Sequence, residues 1–328
     1  MCRNIFIFLS FVFSLVATFP SQILAGCQHC VIGGQLEGKG TSGTFSGATL
    51  GKGKSSAGFL YSYRNWDTID SGEVSSEEHS SEHEEEEAHT HNKIQESHYF
   101  VTVSHGVSER LDLSVQIPYV EIESRNTHDP DRLGKKERST GMGDLILLGK
   151  YRFWERFFDA ALIAGIKFPT GETKEKDGSG GRFEPEEQPG SGSFDPILGL
   201  GASKALGLFH LDSSVIYTIR TEGAQDYEFG NALKLNGAVS LQVAEWLKDI
   251  RAYLTLEANA IFEDKDKQEG ETVSDTGATL LFLTPGLRVQ GGDRWVAYVS
   301  APLPAVQNRP SGHQDLDYSV LAGISFLF

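Results

Sequence analysis

The chain has 328 residues, with 29 Lys+Arg against 45 Asp+Glu and a formal charge of −16. That balance excludes a nucleic-acid partner, because phosphate binding needs a basic surface. Its one continuous apolar run is at the N-terminus, which excludes a bundle of membrane helices. A transmembrane β-barrel remains open, because barrel strands alternate and leave little trace in averaged hydropathy.

Residues 1–26 read as a signal peptide. Arg3 supplies the positive start, Ile5 to Phe19 the apolar stretch, and Ser21 to Gly26 small residues for cleavage. Leu24-Ala25-Gly26-Cys27 also resembles the lipobox of bacterial lipoproteins, which makes Cys27 a lipidation candidate. Ordinary cleavage after Ala25 stays open beside it. Cys27 and Cys30 form a C-x-x-C that could close a small disulfide or hold a metal in an exported chain. Residues 27–55 read as a Gly/Ser-rich periplasmic segment.

From residue 56 the sequence alternates with period two, the pattern of strands with one apolar and one wet face. In 111–120, Leu111, Leu113, Val115, Ile117 and Tyr119 oppose Asp112, Ser114 and Gln116. In 144–153, Leu145, Leu147, Tyr151 and Phe153 oppose Asp144, Lys150 and Arg152. The pattern yields twelve segments: 56–65, 98–106, 111–123, 143–153, 158–170, 193–205, 208–221, 227–243, 251–263, 277–289, 294–304 and 316–328. The segment 277–289 is the weakest, because Leu280 and Phe282 break its alternation and Pro285 interrupts it. The range is 10 to 14 strands.

Long and short connections alternate, as in outer-membrane barrels with short periplasmic turns and longer external loops. Trp154, Trp246 and Trp295 fall beside short turns, where a girdle of amphipathic rings meets the headgroup layer. The last segment places Tyr318, Val320, Ala322, Ile324, Phe326 and Phe328 on one face. Phe326 and the terminal Phe328 resemble the assembly signal of outer-membrane proteins, which implies the insertion machinery as a transient partner. The fold expected is all-β, an antiparallel transmembrane barrel over 56–328.

Gly141-Met142-Gly143-Asp144, running on to Lys150-Tyr151-Arg152-Phe153, is similar to the G-x-G-D…K-Y-R-F signature of a bacterial outer-membrane family. That family carries the label "putative transporter of the meta-pathway of phenol degradation". Glu109 to Leu113 and Ile117-Pro118-Tyr119 fit its preceding hairpin. Lys167-Phe168-Pro169-Thr170-Gly171 and Gly190 to Pro196 fit the following pair. The resemblance implies an outer-membrane transporter for a small solute of hydrophobic or aromatic type. Its motifs mark strands and turns, so they specify architecture better than substrate.

If the apolar face meets lipid, the wet face lines the lumen. The expected lumen cations are Lys150, Arg152, Lys167, Arg220, Lys234, Arg251 and Arg288. The expected anions are Asp112, Asp144, Asp159, Asp212, Glu228, Glu257 and Asp317. Selectivity for one ion sign would favour a ring of one charge. Seven of each sign suggest ion pairs across the lumen and a narrow or occluded pore.

Residues 66–98 read as one acidic external loop, with eleven acids, one Lys, and His79, His83, His89, His91 and His98. Clustered imidazoles and carboxylates could capture a divalent transition metal. A merely solvated loop has the same composition. No other cofactor is implied. No nucleophile elbow, H-E-x-x-H or phosphate-cradling loop occurs, so no enzyme is expected. The reading is an exported bacterial outer-membrane channel or transporter for a small solute, in contact with membrane lipid and gated by loops near 66–97 and 171–192. The alternatives are a metal-binding surface protein anchored by its barrel, and a lipid-tethered periplasmic β-protein.

Overall fold

A computed structural model describes residues 43–66, 91–126, 136–246, 249–310 and 315–328. The strands are β1 (Ser55–Trp66), β2 (His91–Gly106), β3 (Leu111–Asn126), β4 (Lys136–Met142), β5 (Leu145–Trp154) and β6 (Asp159–Phe168). They continue with β7 (Asp195–Leu206), β8 (Phe209–Thr218), β9 (Tyr227–Glu228), β10 (Ala232–Trp246), β11 (Ile250–Glu263), β12 (Lys267–Gln268) and β13 (Glu271–Thr272). The last are β14 (Ala278–Gly291), β15 (Trp295–Ser300), β16 (Leu303–Asn308) and β17 (Leu316–Leu327). β4 with β5, and β15 with β16, each serve as one interrupted staff, so the barrel has twelve. Every pairing is antiparallel, and β17 returns to β1 with Ser56 opposite Leu327 and Tyr63 opposite Val320. The return of β17 to β1 closes the sheet on itself, the form a membrane β-structure requires.

The period-two reading of the faces holds. Leu113, Ile117, Leu147, Tyr151, Phe153, Leu162, Leu198 and Leu256 are exposed, while Asp112, Ser114, Gln116, Lys150, Lys167, Asp212 and Glu257 are buried. This is the reverse of a water-soluble protein, and the apolar outer wall is the surface that meets lipid. Trp154 and Trp246 are exposed at the short-turn end. The tightest turn there, between β7 and β8, consists of Gly207 and Leu208. Gly207 has φ +64°, a conformation that a residue without Cβ adopts at no steric cost.

Several expected boundaries move. β2 begins at His91, so the first long connection is shorter than 66–98. The segment 227–243 splits: Tyr227 and Phe229 are buried rather than lipid-facing, and the barrel staff starts at Ala232. β9 instead joins β12 and β13 in a small separate sheet. The weak segment 277–289 is a full staff. Leu280 and Phe282 point inward, where they pack with Trp66, Ile94, Val120, Ile122, Ala278 and Leu316. They spoiled the alternation because the interior at this level is apolar.

The segment 294–304 also divides, at Ala301 and Pro302. β16 pairs with β14 and has no ladder to β17 among the described residues. Gln307 bridges that gap with its side chain. Its Nε2 donates to the Leu316 carbonyl at 3.1 Å, and its Oε1 accepts from the Leu316 N–H at 2.7 Å. One amide side chain thus supplies the pair of bonds a strand neighbour would have made.

Candidate functional site

The lumen is occupied at the short-turn end by residues 43–50. The sequence places this stretch in a periplasmic segment, but it runs inside the barrel. Phe45 is 2% exposed and packs on Ile146, Leu148, Ile163, Ile197 and Ile216, all inward-facing. Polar wall residues hold the backbone around it. Glu257 accepts from Gly43 N at 2.9 Å and from Thr44 Oγ1 at 3.0 Å. Ser214 Oγ accepts from Phe45 N at 3.3 Å, and Asp112 Oδ2 from Leu50 N at 2.9 Å. Lys150 Nζ, 3.8 Å from Asp112, donates to the Ala48 carbonyl. Asp112, Lys150 and Glu257 are buried on the inward face, where they hold residues 43–50 as a plug.

The long-loop end is covered by residues 171–191, referred to as the lid. Its base is a buried charge cluster. Lys167 Nζ lies 2.6 Å from Asp195 and 3.4 Å from Asp144. Asp144 accepts from Gly171 N at 2.9 Å, Ser191 N at 2.8 Å and Ser191 Oγ at 2.6 Å. Lys167 also donates to Ser191 and Ser193. Gly171 and Gly190 are in backbone contact here, and a Cβ on Gly190 would stand 2.6 Å from the Gly171 Cα. Three of the stretches that carried the family resemblance, 141–153, 167–171 and 190–196, thus converge in space. Asp195 and Ser191 were absent from the expected site, although both lie in the quoted Gly190–Pro196 stretch.

Within the lid, Gln188 is 1% exposed and braces the loop across its width. Its Oε1 accepts from Glu175 N at 3.0 Å, and its Nε2 donates to the carbonyls of Glu175 and Phe183. The one-turn 3-10 helix Pro185–Glu187 then brings Glu186 to the small sheet, where its Oε1 lies 3.4 Å from Tyr227 Oη. Tyr227 donates to Asp266 at 2.6 Å, and Asp266 also accepts from Gly230 N at 2.6 Å. Desolvation is the largest influence on all three groups, reinforced for Glu186 by repulsion from Asp266. It raises Glu186 to about 8 and Asp266 to about 6, and it raises the Tyr227 phenol far above its ordinary range.

Beneath the lid is a small cleft of about 30 Å³ that opens to solvent. Phe100, Pro118, Val120, Ile146, Phe229 and the lid prolines Pro185 and Pro189 line it, together with Asp144, Lys167 and Arg220. Arg220 pairs with Glu263 at 3.2 Å, both nearly fully buried. Across the same half of the barrel, Glu96 accepts from His98 at 2.9 Å and lies 3.5 Å from Arg64. Arg309 stacks on Trp66, 4.3 Å from the ring centroid.

The other expected lumen residues divide. Asp212 is buried beside His210 at 3.2 Å, and Arg288 is buried against Tyr253. Lys234 is on the inward side of β10. Arg152 pairs with Asp159 at 3.4 Å and with Glu155 at 3.1 Å, at the short-turn rim. Arg251 lies at the same end, near the start of β11. Two do not line the pore: Glu228 pairs with Lys267 in the small sheet, and Asp317 is exposed at a bulge, where it accepts from Asn65. Of the opposite charges expected to pair across the lumen, Arg288 of β14 feels Asp212 of β8. Asp112 and Lys150 are register partners on adjacent strands, and the barrel is filled by chain segments.

His98, expected in the acidic loop, is a buried wall residue of β2 and is not available to a loop metal site. His91 begins the same strand. His79, His83, His89, Cys27, Cys30 and the signal peptide lie outside the described residues. Phe326 faces outward, and Phe328 completes the closing ladder with Ser55, N–H to carbonyl at 2.9 Å.

The barrel is similar to the COG4313 outer membrane channel from Pseudomonas putida F1. The TM-score is 0.62 at 15% identity, covering 86% of this chain and 97% of that one. The beta domain of the Bordetella autotransporter BrkA gives a TM-score of 0.48 at 11% identity, covering 84% and 100%. No curated protein sequence matches. The closed form and the apolar outer wall are those of a bacterial outer-membrane barrel. A family model matches residues 90–314, which contain the lid, its charge cluster and most of the wall, and the chain therefore belongs to the family described as "Putative MetA-pathway of phenol degradation".

Proposed function

We propose that the protein is a gated outer-membrane channel for a small, uncharged, largely apolar solute. The observation that carries this is the cleft beneath the lid, inside a barrel that plug and lid close. Its walls are mostly apolar, and every charge named on it has an opposite partner. Counted with those partners, Lys167 and Arg220 face Asp144, Asp195 and Glu263, so the surroundings are one charge negative. Such a space repels anions and offers no ring of one sign to draw ions through. When the lid lifts, an apolar molecule with one or two hydroxyls loses little water on entering and finds Asp144, released from Gly171 and Ser191, as a hydrogen-bond acceptor. The polar, ion-paired wall serves chiefly to seat plug and lid.

The test is uptake into proteoliposomes of the full mature chain. Equal concentrations of a neutral phenol, a benzoate and a hexose would be compared with protein-free vesicles, which correct for direct membrane permeation. Protein-dependent entry of the phenol above that of the other two supports the proposal. Equal entry of all three, or preference for the anion, overturns it.

A further inference from the structure

The contact between the lid and the small sheet offers one hydroxyl hydrogen to two carboxyl groups, so both contacts are hydrogen bonds only when one of the carboxyls carries a proton. Tyr227 has one hydroxyl hydrogen. At 2.6 Å that hydrogen belongs to Asp266, whose other oxygen is taken by Gly230 N. The Tyr227 oxygen therefore turns a lone pair toward Glu186 Oε1, 3.4 Å away. With the Tyr227 hydrogen given to Asp266, an ionised Glu186 could only accept and gains no bond from Tyr227. The contact becomes a hydrogen bond when Glu186 carries a proton and donates it.

We propose that Glu186 is the proton-carrying latch of the lid: protonated, it donates to Tyr227 and holds residues 171–191 over the pore, and ionised, it releases them. This rests on the reading of those residues as a pore cover. The groups facing the latch make ionisation costly. From the lid itself come Glu184 and Glu187, and from the loop after β11 comes Asp266, which in turn faces Glu263. The cations on that side are Arg309 and Arg220, and Arg220 is engaged by Glu263. A burial-raised carboxyl pKa gives the direction. With the lid lifted, Glu186 returns to ordinary carboxylate behaviour near 4.5, and with the lid seated it titrates at about 8. The closed form is therefore fully favoured below about pH 4.5. It loses up to about tenfold in population per pH unit as pH rises toward 8, and changes no further above that.

The experiment uses the full mature chain in lipid nanodiscs, with Cys27 and Cys30 replaced by Ser and spin labels at Lys174→Cys in the lid and Glu271→Cys in the small sheet. Distances are measured at pH 4.5 and pH 8.5. The expected result is one narrow distribution at pH 4.5 and a second, longer one at pH 8.5. In Glu186→Gln, whose amide donates to Tyr227 without a charge, the narrow distribution should persist at both values. In Tyr227→Phe, which offers no acceptor, the longer one should appear at both. An unlabelled-pair control of heat-modifiable gel mobility identifies any variant that fails to fold. No pH effect in the labelled parent overturns the latch, as does an undiminished pH effect in Glu186→Gln. Lid movement without any change in solute uptake would retain the latch and overturn the channel reading instead.

Discussion

Phe45→Ala should release the plug. Phe45 is the one large apolar side chain that residues 43–50 insert among Ile146, Leu148, Ile163, Ile197 and Ile216. Burying a Phe side chain contributes about 1.5–3 kcal/mol relative to leaving it in water. The cost here falls on seating the plug rather than on barrel stability, because the wall residues come from β5, β6, β7 and β8 and keep their strand ladders. The remaining attachments, to Glu257, Ser214, Asp112 and Lys150, are unchanged by the substitution. At about 1.4 kcal/mol per factor of ten, the unseated population should rise roughly tenfold to a hundredfold. The assay is maleimide labelling of a Ser46→Cys reporter in a chain whose Cys27 and Cys30 are Ser. Ser46 is fully buried in the seated plug, so its labelling rate follows the unseated fraction. The readout does not depend on the lid. An unchanged labelling rate in folded Phe45→Ala protein would refute the reasoning, because the side chain would then not be what holds the segment.

Other consequences can be checked more briefly. Lys167→Met removes the cation from between Asp144 and Asp195 and leaves two buried carboxylates facing each other. A loss of about 3–5 kcal/mol is expected, read as a lower temperature for the heat-modifiable gel shift, with a smaller loss for the triple change that also makes both acids Asn. Gly190→Ala drives a Cβ to 2.6 Å from the Gly171 Cα, so faster proteolysis across 172–189 is expected with the barrel intact. Gln307→Leu removes two hydrogen bonds to Leu316, about 1 kcal/mol each, and should speed amide exchange in 316–320 but not in 321–327. A peptide of residues 76–92, free of the buried His98, should give saturable heat with Zn²⁺ or Cu²⁺ if the acidic tract is a metal site; absence of heat removes that idea.

The wall was legible because a bilayer imposes a strict rule on alternate residues. Every outward position of β3, from Leu111 to Tyr119, obeys it. Inward positions obey no such rule, because they face whatever fills the barrel. Leu280 and Phe282 look like errors in a strand until Trp66 and Leu316 are placed opposite them. Phe45 sits in a Gly/Ser-rich stretch with no periodicity, and nothing local marks it as the centre of a buried cluster. His98 was misplaced because acidic composition extended the loop past the residue where strand pairing resumes. Glu228 continued an alternating run, but Tyr227 and Phe229 belong to a second small sheet. The lid cluster came closest to legibility: Asp144, Lys167 and the Gly190–Pro196 stretch were each singled out. What one sequence lacked was the contact between them, which needs β5, β6 and β7 side by side.

The plug constrains the order in which the molecule can be built. Residues 43–50 precede β1, yet their partners are spread over β3, β5, β7, β8 and β11, as far along the chain as Glu257. No hairpin formed early offers more than a fraction of that site. The N-terminal segment must remain unseated while some two hundred following residues are laid into the wall. It can then settle only when the cylinder is nearly shut. A leaking intermediate would thus precede the sealed one, and the last event of biogenesis would be the arrival of a segment made before any strand of the wall.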